Sequence, residues 1–343
     1  MSSPRVTVTI PSFKRAVDLQ RCLEALALQS RPVDEVLVVG REGDVETSNV
    51  VSGSRRITST LRLVPVTEPG LIAAMNCGLD NATGDLLVFT DDDAEPALDW
   101  LERIEASFVN PSLGAVGGRD WIQLPDEPAL FQPAPASRVG VLTWYGALYG
   151  NHHRPLHGHA RKLMFLKGVN MAFRLRALGS YRIDTTLRGS GAQVGSEMDL
   201  CSQTRQAGFD VLFDDRILVK HYSSPRAAGD ERNELVGSVF PDICFNNHYL
   251  IAKRFSLGRA LAYFCNERLL GSRSSPGLLA YLKWSFKGDR QARRRLAQMT
   301  RIGTAGFFLG RHARVEGRRG HRNLKLGSTV VELEGQRQGP GAN

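Results

Sequence analysis

The chain has no uninterrupted apolar run of about 18 residues, the length that a spanning helix needs, so none is expected. No charged and apolar leader precedes the first strand-like stretch, Val6 to Ile10, so the sequence predicts no signal peptide and a cytosolic location. Cysteine is scarce. The five residues Cys22, Cys77, Cys201, Cys244 and Cys265 are odd in number, scattered and never in a CxxC pair, which excludes a disulfide framework or a cysteine-built zinc site. Reduced thiols in packed positions are expected instead. No internal repeat or low-complexity tract occurs before the last twenty residues, whose Gly-rich end is expected to be disordered.

Charge is unevenly spread. Residues 1–250 hold 25 Lys/Arg against 30 Asp/Glu and residues 251–343 hold 19 against 5, so −5 and +14 make up the net +9. So basic a segment suits an anionic surface such as phospholipid. Nucleic acid is not an expected partner, because no helix-turn-helix, RNP or zinc-finger pattern accompanies the charge. Within this segment Tyr249 to Phe255, Leu257 to Leu270 and Leu278 to Phe286 read as helices with Arg/Lys among Leu, Phe, Tyr and Trp. They suit either a membrane interface or packing on the rest of the chain with a solvated basic face.

The rest of the chain alternates strand and helix. Val6 to Ile10, Glu35 to Val39 and Leu61 to Val66 read as strands, and Val17 to Gln29 and Leu71 to Ala82 as helices. That alternation implies a parallel sheet whose right-handed crossovers bring the loops after strands one, two and four to a common edge. A helix is expected from Trp100 to about Phe108 and a short strand at Gly114 to Gly118, followed by a long irregular excursion over residues 121–160. Met164 to Phe173 reads as a strand entering a loop at Gly168 and Asn170. Glu197 to Ala207 reads as a helix closed by Gly208, and Phe209 to Phe213 and Ile217 to Lys220 as strands leading to His221.

The stretch with most chemical content is Asp85-Leu86-Leu87-Val88-Phe89-Thr90-Asp91-Asp92-Asp93, a buried strand that ends in three carboxylates. Adjacent carboxylates repel, and hard oxygen ligands of this kind suit Mg²⁺ or Mn²⁺. The carboxyl end of a strand is also where open α/β sheets place ligands. A solvated acidic loop at a helix start is the plainer reading of the same residues.

The order of features resembles family 2 glycosyltransferases of the GT-A fold. It runs from Pro11-Ser12-Phe13 after strand one, through Glu68-Pro-Gly-Leu71, Asn76-Cys-Gly-Leu79 and Gly84-Asp85 before the acidic cluster, to Gly168-Val-Asn170-Met, Ser196-Glu-Met-Asp-Leu-Cys201 and His221. The resemblance covers residues 5 to about 225. It implies an α/β fold with a Rossmann-like, mostly parallel sheet flanked by helices, a nucleotide-binding half over about 1–118 and an acceptor half over about 119–225. A basic, mainly helical extension over 226–330 and a disordered tail over 331–343 complete the expected organisation.

The resemblance further implies inverting, metal-assisted transfer of a sugar from a UDP-, GDP- or dTDP-linked donor to a glycan or lipid-linked acceptor, as in polysaccharide biosynthesis. A peripheral site at the inner face of the membrane would fit. Asp91 and Asp93 are the expected metal ligands, with His221 as a third, and Asp92 is expected on the sugar or ribose. Glu197 aligns with the general base, whereas Asp199, two residues on, cannot share its face of a helix. Pro11, Ser12, Phe13, Asn76, Gly168 and Asn170 fall in stretches that line the donor or acceptor. Many relatives carry Asp after the second strand and Arg in the helix before the acidic strand, where this chain has Gly40 and Met75; Arg41, Asp44 and Glu68 are the candidate substitutes. Gly189, Gly191 and Gly195 suggest a loop able to close over donor. His152, His153, His157 and His159 suit acceptor contacts or plain surface. Two other readings stay open: a nucleotidyltransferase, which would want glycines in Pro11-Ser12-Phe13-Lys14-Arg15, and a non-catalytic sugar-binding protein.

Overall fold

The computed structural model describes residues 3–54, 60–123, 133–189, 193–222, 239–272, 275–286 and 291–335. Its first half is a strand–helix alternation: β1 (Val6–Ser12), α1 (Ala16–Ala27), β2 (Glu35–Arg41), α2 (Val45–Ser54), β3 (Leu61–Val66), α3 (Leu71–Asn81) and β4 (Leu86–Phe89). The strands pair in parallel in the order β3-β2-β1-β4. Helices cover both faces, so β1, β2 and β4 are buried along nearly their whole length, Thr7 and Thr9 of β1 included. In α1 the helical spacing of Leu19, Cys22, Leu23 and Leu26 buries one stripe against the sheet.

The second half comprises β5 (Ala94–Pro96), α4 (Trp100–Ser107), β6 (Leu113–Ile122), β7 (Val141–Leu142), β8 (Leu148–Tyr149), β9 (Ala160–Lys162), β10 (Met171–Arg174), α5 (Leu175–Leu178), α6 (Ser196–Gln206) and β11 (Asp210–His221). It extends the sheet in the order β4-β10-β6-β11-β5, with β9 on β11. β10 runs antiparallel to both β4 and β6, and β11 runs parallel to β6, so β1, β4, β6 and β11 all end at one edge. Three expectations shift, the first being the short strand at Gly114 to Gly118, which runs from Leu113 to Ile122. The strand expected from Met164 begins only at Met171, after the turn in which Asn170 N–H donates to Lys167 O (3.0 Å). The two strands expected over 209–220 are one strand with a bulge between Asp214 and Leu218. The irregular excursion carries the small β7–β8 hairpin, and residues 124–132 of it lie outside the described residues.

The C-terminal helices are α7 (Val239–Arg254), α8 (Leu257–Leu269), α9 (Leu278–Phe286) and α10 (Ala292–Gly335). Residues 331–335 of the expected tail are thus helical, and 336–343 lie outside the described residues. The helices are not a loose basic appendage, because Phe245, Tyr249 and Leu250 of α7 and Phe307 of α10 belong to the largest buried apolar cluster, with Phe89, Phe173 and Met198. Polar ties fix α7 as well. Arg254 Nε donates to the fully buried Asp199 Oδ1 (2.7 Å), whose Oδ2 accepts from Tyr181 Oη (2.5 Å), and Tyr249 and Lys253 both bond Asp184. All five cysteines are free; Cys22, Cys201 and Cys244 are buried, whereas Cys265 is exposed.

Helix α10 approaches α7 along three glycines at helical spacing. A Cβ on Gly303 would lie 2.8 Å from the His248 ring, on Gly306 2.6 Å from Phe245 O, and on Gly310 2.2 Å from Tyr249 O. Glycine ordinarily costs a helix ~1 kcal/mol relative to alanine. At Gly310 the backbone clash outweighs that gain, since overpacking costs about 1–3 kcal/mol. Gly310→Ala is therefore expected to lower the melting temperature, whereas Gly258→Ala in α8, where nothing lies within 4 Å of the added carbon, should hold or raise it. Thermal unfolding of the two variants beside the parent checks this; a Gly310 variant as stable as the parent would contradict the close packing.

Candidate active site

The parallel register of β1 and β4, with Thr9 opposite Phe89, releases Ser12 and Asp91–Asp93 side by side at the carboxyl edge of the sheet. Ser12 Oγ donates to Asp92 Oδ2 (2.9 Å). Arg15, at the amino end of α1, spans two of the three acids: Nη1 donates to Asp92 Oδ1 and Nη2 to Asp93 Oδ2, both at 2.5 Å. On the other side β11 pairs with β5, placing His221 opposite Ala94, so its imidazole faces the acids. His221 Nδ1 lies 3.0 Å from Asp120 Oδ1 and Nε2 3.2 Å from Asp93 Oδ1. Asp92, Asp93, Asp120 and His221 are all buried.

These contacts set the protonation states. Burial pushes Asp92 up to about 7, against the attraction of Arg15. Burial also opposes charge on Asp93, but the hydrogen bond and charge of His221 and the charge of Arg15 outweigh it and hold the carboxyl well below its usual range. Asp120 is likewise lowered, with burial overcome by His221 and the more distant Lys167. For His221 burial favours the neutral ring, yet Asp120 and Asp93 raise it to about 10. At neutral pH the buried acids are thus balanced by two cations of the chain itself.

The aim of His221 depends on the bulge in β11. Gly118 of β6 faces it so closely that a Cβ there would lie 1.8 Å from Ile217 O. Asn170 closes the gap: Nδ2 donates to Ile217 O (2.9 Å) and Arg119 O (3.1 Å), and Oδ1 accepts from Trp100 Nε1 (2.9 Å). Buried backbone carbonyls displaced from the ladder need such partners.

Atoms of Asp91, Asp93 and His221 lie within 4.8 Å of one another, and this group can hold a metal ion. Two carboxylates with an imidazole form a mixed hard oxygen and nitrogen set suited to Mn²⁺ or Mg²⁺. The His221 Nε2 atom is buried 3.2 Å from Asp93 Oδ1, and a metal ion between them would take the place of the proton that the ring otherwise carries. Asp120 on Nδ1 fixes which ring nitrogen faces the group, the usual arrangement behind a metal-binding histidine.

Other candidates fall elsewhere. Asn170, expected on a sugar, is fully buried and spends its amide hydrogens on the bulge and its oxygen on Trp100. Asn76, also expected at the donor, pairs with both backbone groups of Ile183 at 2.8 and 3.0 Å. Asp44 is a helix cap and loop clamp: it accepts from Thr47 N–H (3.2 Å), Thr47 Oγ1 (2.7 Å) and Lys14 N–H (2.8 Å). Gly40 cannot bear a larger side chain without movement, since its Cβ would meet Leu63 and Thr47 at 3.1–3.2 Å, and Met75 lies in the apolar core. Arg41 closes β2 half-buried, Glu68 is exposed after β3, Pro11 is half-buried and Phe13 exposed at the same edge, and Gly168 faces open space. His152, read as an acceptor contact or surface residue, is instead buried; its Nε2 bonds Phe165 O (3.0 Å), and burial lowers it to about 4.

Glu197 stands half-buried in the first turn of α6, and its Oε2 accepts from Gly195 N–H and Ser196 Oγ, each at 3.3 Å. The loop before it is tied to the start of α3, at the same sheet edge as the acids, by Ile72 N–H donating to Gln193 Oε1 (2.9 Å). Its ends are held from α7, where Asn246 Nδ2 donates to Arg188 O and Val194 O, both at 2.9 Å. The glycine loop lies partly outside the described residues, 190–192. Asp199 is consumed by Arg254 and Tyr181.

The sequence profile of the family described as "Glycosyltransferase like family 2" matches residues 4–235. Glycosyltransferase AglE of Haloferax volcanii is 32% identical over 118 residues, 34% of this chain and 39% of that protein. The succinoglycan biosynthesis protein ExoM of Rhizobium meliloti is 33% identical over 99 residues, 29% of this chain and 32% of that one. The chain thus matches well under half of the length of these two relatives. A glucosyl-dolichyl phosphate glucuronosyltransferase of Haloferax volcanii is 24% identical over 224 residues, 63% of this chain and 68% of that protein. Among solved structures, the mannosyltransferase PcManGT from Pyrobaculum calidifontis, in complex with GDP-Man and Mn²⁺, shares the fold at TM-score 0.54 and 18% identity, over 92% of this chain and 88% of that one.

Arg15 carries the first prediction from this geometry. Arg15→Met keeps the aliphatic stem but leaves Asp92 and Asp93 buried with one cation fewer, and uncompensated buried charge costs about 3–5 kcal/mol. The melting temperature of the metal-free protein should fall sharply, and excess Mn²⁺ should recover much of the loss by binding the native state. An Arg15 variant as stable as the parent in EDTA would contradict the charge balance described.

Proposed function

The chain belongs to glycosyltransferase family 2, and from that premise we propose that it moves a sugar from a nucleotide-sugar to an acceptor hydroxyl by a single, inverting, metal-assisted displacement. The observation that carries the proposal is the convergence of Asp91, Asp93 and His221 at the carboxyl edge beside Ser12, where a doubly wound sheet receives a nucleotide. A divalent ion bound there, Mn²⁺ or Mg²⁺, would neutralise charge on the departing nucleoside diphosphate.

Within this reading the side chains have distinct tasks. Asp91, Asp93 and the His221 imidazole hold the ion, and Asp120 orients the ring. Ser12 and Arg15 fix Asp92 beside the site, and Pro11, Phe13 and Gly168 border the space for donor and acceptor. Arg41 and Glu68 remain the substitutes for base recognition, because Asp44 is engaged as a cap. Glu197 is the general base. A carboxylate at this place can take the proton of an acceptor hydroxyl. The acceptor oxygen bonds the anomeric carbon as the carbon–phosphate oxygen bond breaks on the opposite face, and the hydroxyl proton passes to Glu197.

The acceptor in this proposal is a glycan or a lipid-linked molecule, and the protein lies peripherally on an anionic membrane at its inner face. Helix α9 supports this, because it buries none of its residues and exposes Leu278, Leu279, Leu282 and Phe286 within the basic part of the chain. Among the described residues no helix is long and apolar enough to cross a membrane.

Glu197→Gln keeps the size and the contacts with Gly195 and Ser196 but cannot take a proton, so turnover should fall by ~10²-fold or more. Nucleotide affinity should stay near that of the parent. The assay is transfer from the donor nucleotide-sugar alongside calorimetry with the matching nucleoside diphosphate. A variant that transfers at the parental rate would reduce Glu197 to a helix cap.

A further inference from the structure

A second charged site lies at the opposite edge of the sheet. The strand that ends at His221 begins at Asp210, so at ~3.3 Å per residue the two ends are roughly 30 Å apart. Beside Asp210, between β9, the end of α6 and the segment that carries β7, is a groove of about 640 Å³. Small-molecule sites commonly measure about 300–1,000 Å³. Its walls are apolar, with Val139, Val141, Leu163 and Val211, and its rim is basic, with Arg138, Arg161, Lys162 and Arg205.

The basic residues are poorly compensated. Lys162 pairs with Asp210 at 2.7 Å. Arg161 Nη1 donates to Ser137 O (2.6 Å), and Arg138 reaches the hydroxyls of Tyr145 and Tyr149. The side chain of Arg205 makes no hydrogen bond or ion pair among the described residues. Arg259 of α8, which touches Met164 of the groove wall through Nη1 (3.7 Å), adds a further positive charge. None of these four arginines has a carboxylate partner among the described residues. Such a cluster, arranged around a concave space, favours an anion, and guanidinium forks match phosphate oxygens. The aromatic setting adds a second preference. Trp144, next in the chain to the lining residue Thr143, is 81% exposed and sets its ring against Tyr145. An exposed indole beside arginine and tyrosine suits the boundary between water and lipid.

We propose that this groove is a binding site for a phosphate group carried next to an apolar chain, separate from the donor site. The phosphate sits among Arg138, Arg161 and Arg205, and the first carbons of the chain lie on Val139, Val141 and Leu163. A bilayer phospholipid and a phosphate-bearing lipid in solution share this chemistry, and a free phosphate shares its polar part. The inference does not depend on the catalytic assignment, because no residue of the groove belongs to the acidic site.

The test uses the full chain in EDTA, which silences any metal-dependent nucleotide site. Calorimetric titration with dihexanoyl phosphatidate below its micellar concentration is compared with inorganic phosphate, and flotation uses vesicles of phosphatidylcholine with or without phosphatidylglycerol. The short lipid is expected to bind at one site at least 10-fold more tightly than inorganic phosphate. Arg161→Gln and Arg205→Gln should each weaken it about 10-fold, and the double variant should abolish it, while Arg176→Gln on α5 leaves it unchanged. Arg161 and Arg205 are exposed, so an unchanged melting temperature should confirm that the variants fold. Loss of vesicle flotation in the double variant would assign the site to bilayer lipid; retained flotation with lost calorimetric binding would assign it to a lipid phosphate taken from solution. Equal affinity for inorganic phosphate and lipid, both lost in the double variant, would keep the phosphate site and remove the apolar half of the proposal. No binding by the parent, or equal binding by parent and double variant, would overturn it and leave Arg205 as a cation at the carboxyl end of a helix.

Discussion

The structure turns on a small desolvated set of opposite charges: Asp92, Asp93 and Asp120 against Arg15 and His221. Carboxylates taken out of water are tolerated only with close cations, since an isolated buried ion costs several kcal/mol. The chain supplies those cations from elements far apart in sequence. Arg15 begins the first helix, and His221 ends the last strand. Neither half of the sheet can therefore shift without exposing or unpairing a buried charge, so the acidic site also ties the two halves together. A site held this way is preorganised for a cation, because its carboxylates are already oriented.

Most of the architecture serves to deliver these side chains to one edge. Parallel pairing of β1 with β4 places Ser12 beside Asp92, and the reversed β10 lets β6 and β11 point the same way as β4. The bulge in β11 turns its end toward the acids, and the Trp100–Asn170 pair absorbs the carbonyls that the bulge frees. Helix α7 acts on the other wall through Asn246, which grips both ends of the loop before Glu197, and through Arg254, which neutralises Asp199. The C-terminal helices are thus part of the frame around the acidic edge, while α9 buries none of its residues.

What was legible in the sequence was local. The apolar run ending at Asp91–Asp93, the helix read from Glu197 and the strand-like stretches leading to His221 announce themselves by composition and period, and so does the parallel first half. Partnerships across 77 to 101 residues were not legible. Nothing local in the sequence singles out Arg15 or Asp120, yet the fold makes them neighbours of Asp92 and His221. The backbone partners of Asn170 and Asn76 were equally illegible: strand pairing and the α3 contact set Asn170 Nδ2 on Ile217 O and Asn76 Oδ1 on Ile183 N–H. In the C-terminal part the amphipathic stretches were readable, but the glycine contact between α10 and α7 was not, because only the helix crossing gives Gly303, Gly306 and Gly310 a reason.

The central claim is that Asp91, Asp93 and His221 form a metal site that receives a nucleoside diphosphate. Thermal unfolding of the protein with UDP, GDP or dTDP, each with Mn²⁺ and again with EDTA, tests it most directly, because a ligand that binds the native state raises the melting temperature by mass action. The account predicts that at least one nucleotide stabilises the protein with Mn²⁺ and that the effect disappears in EDTA. Stabilisation of the same size in EDTA, or none by any nucleotide with Mn²⁺, would contradict it.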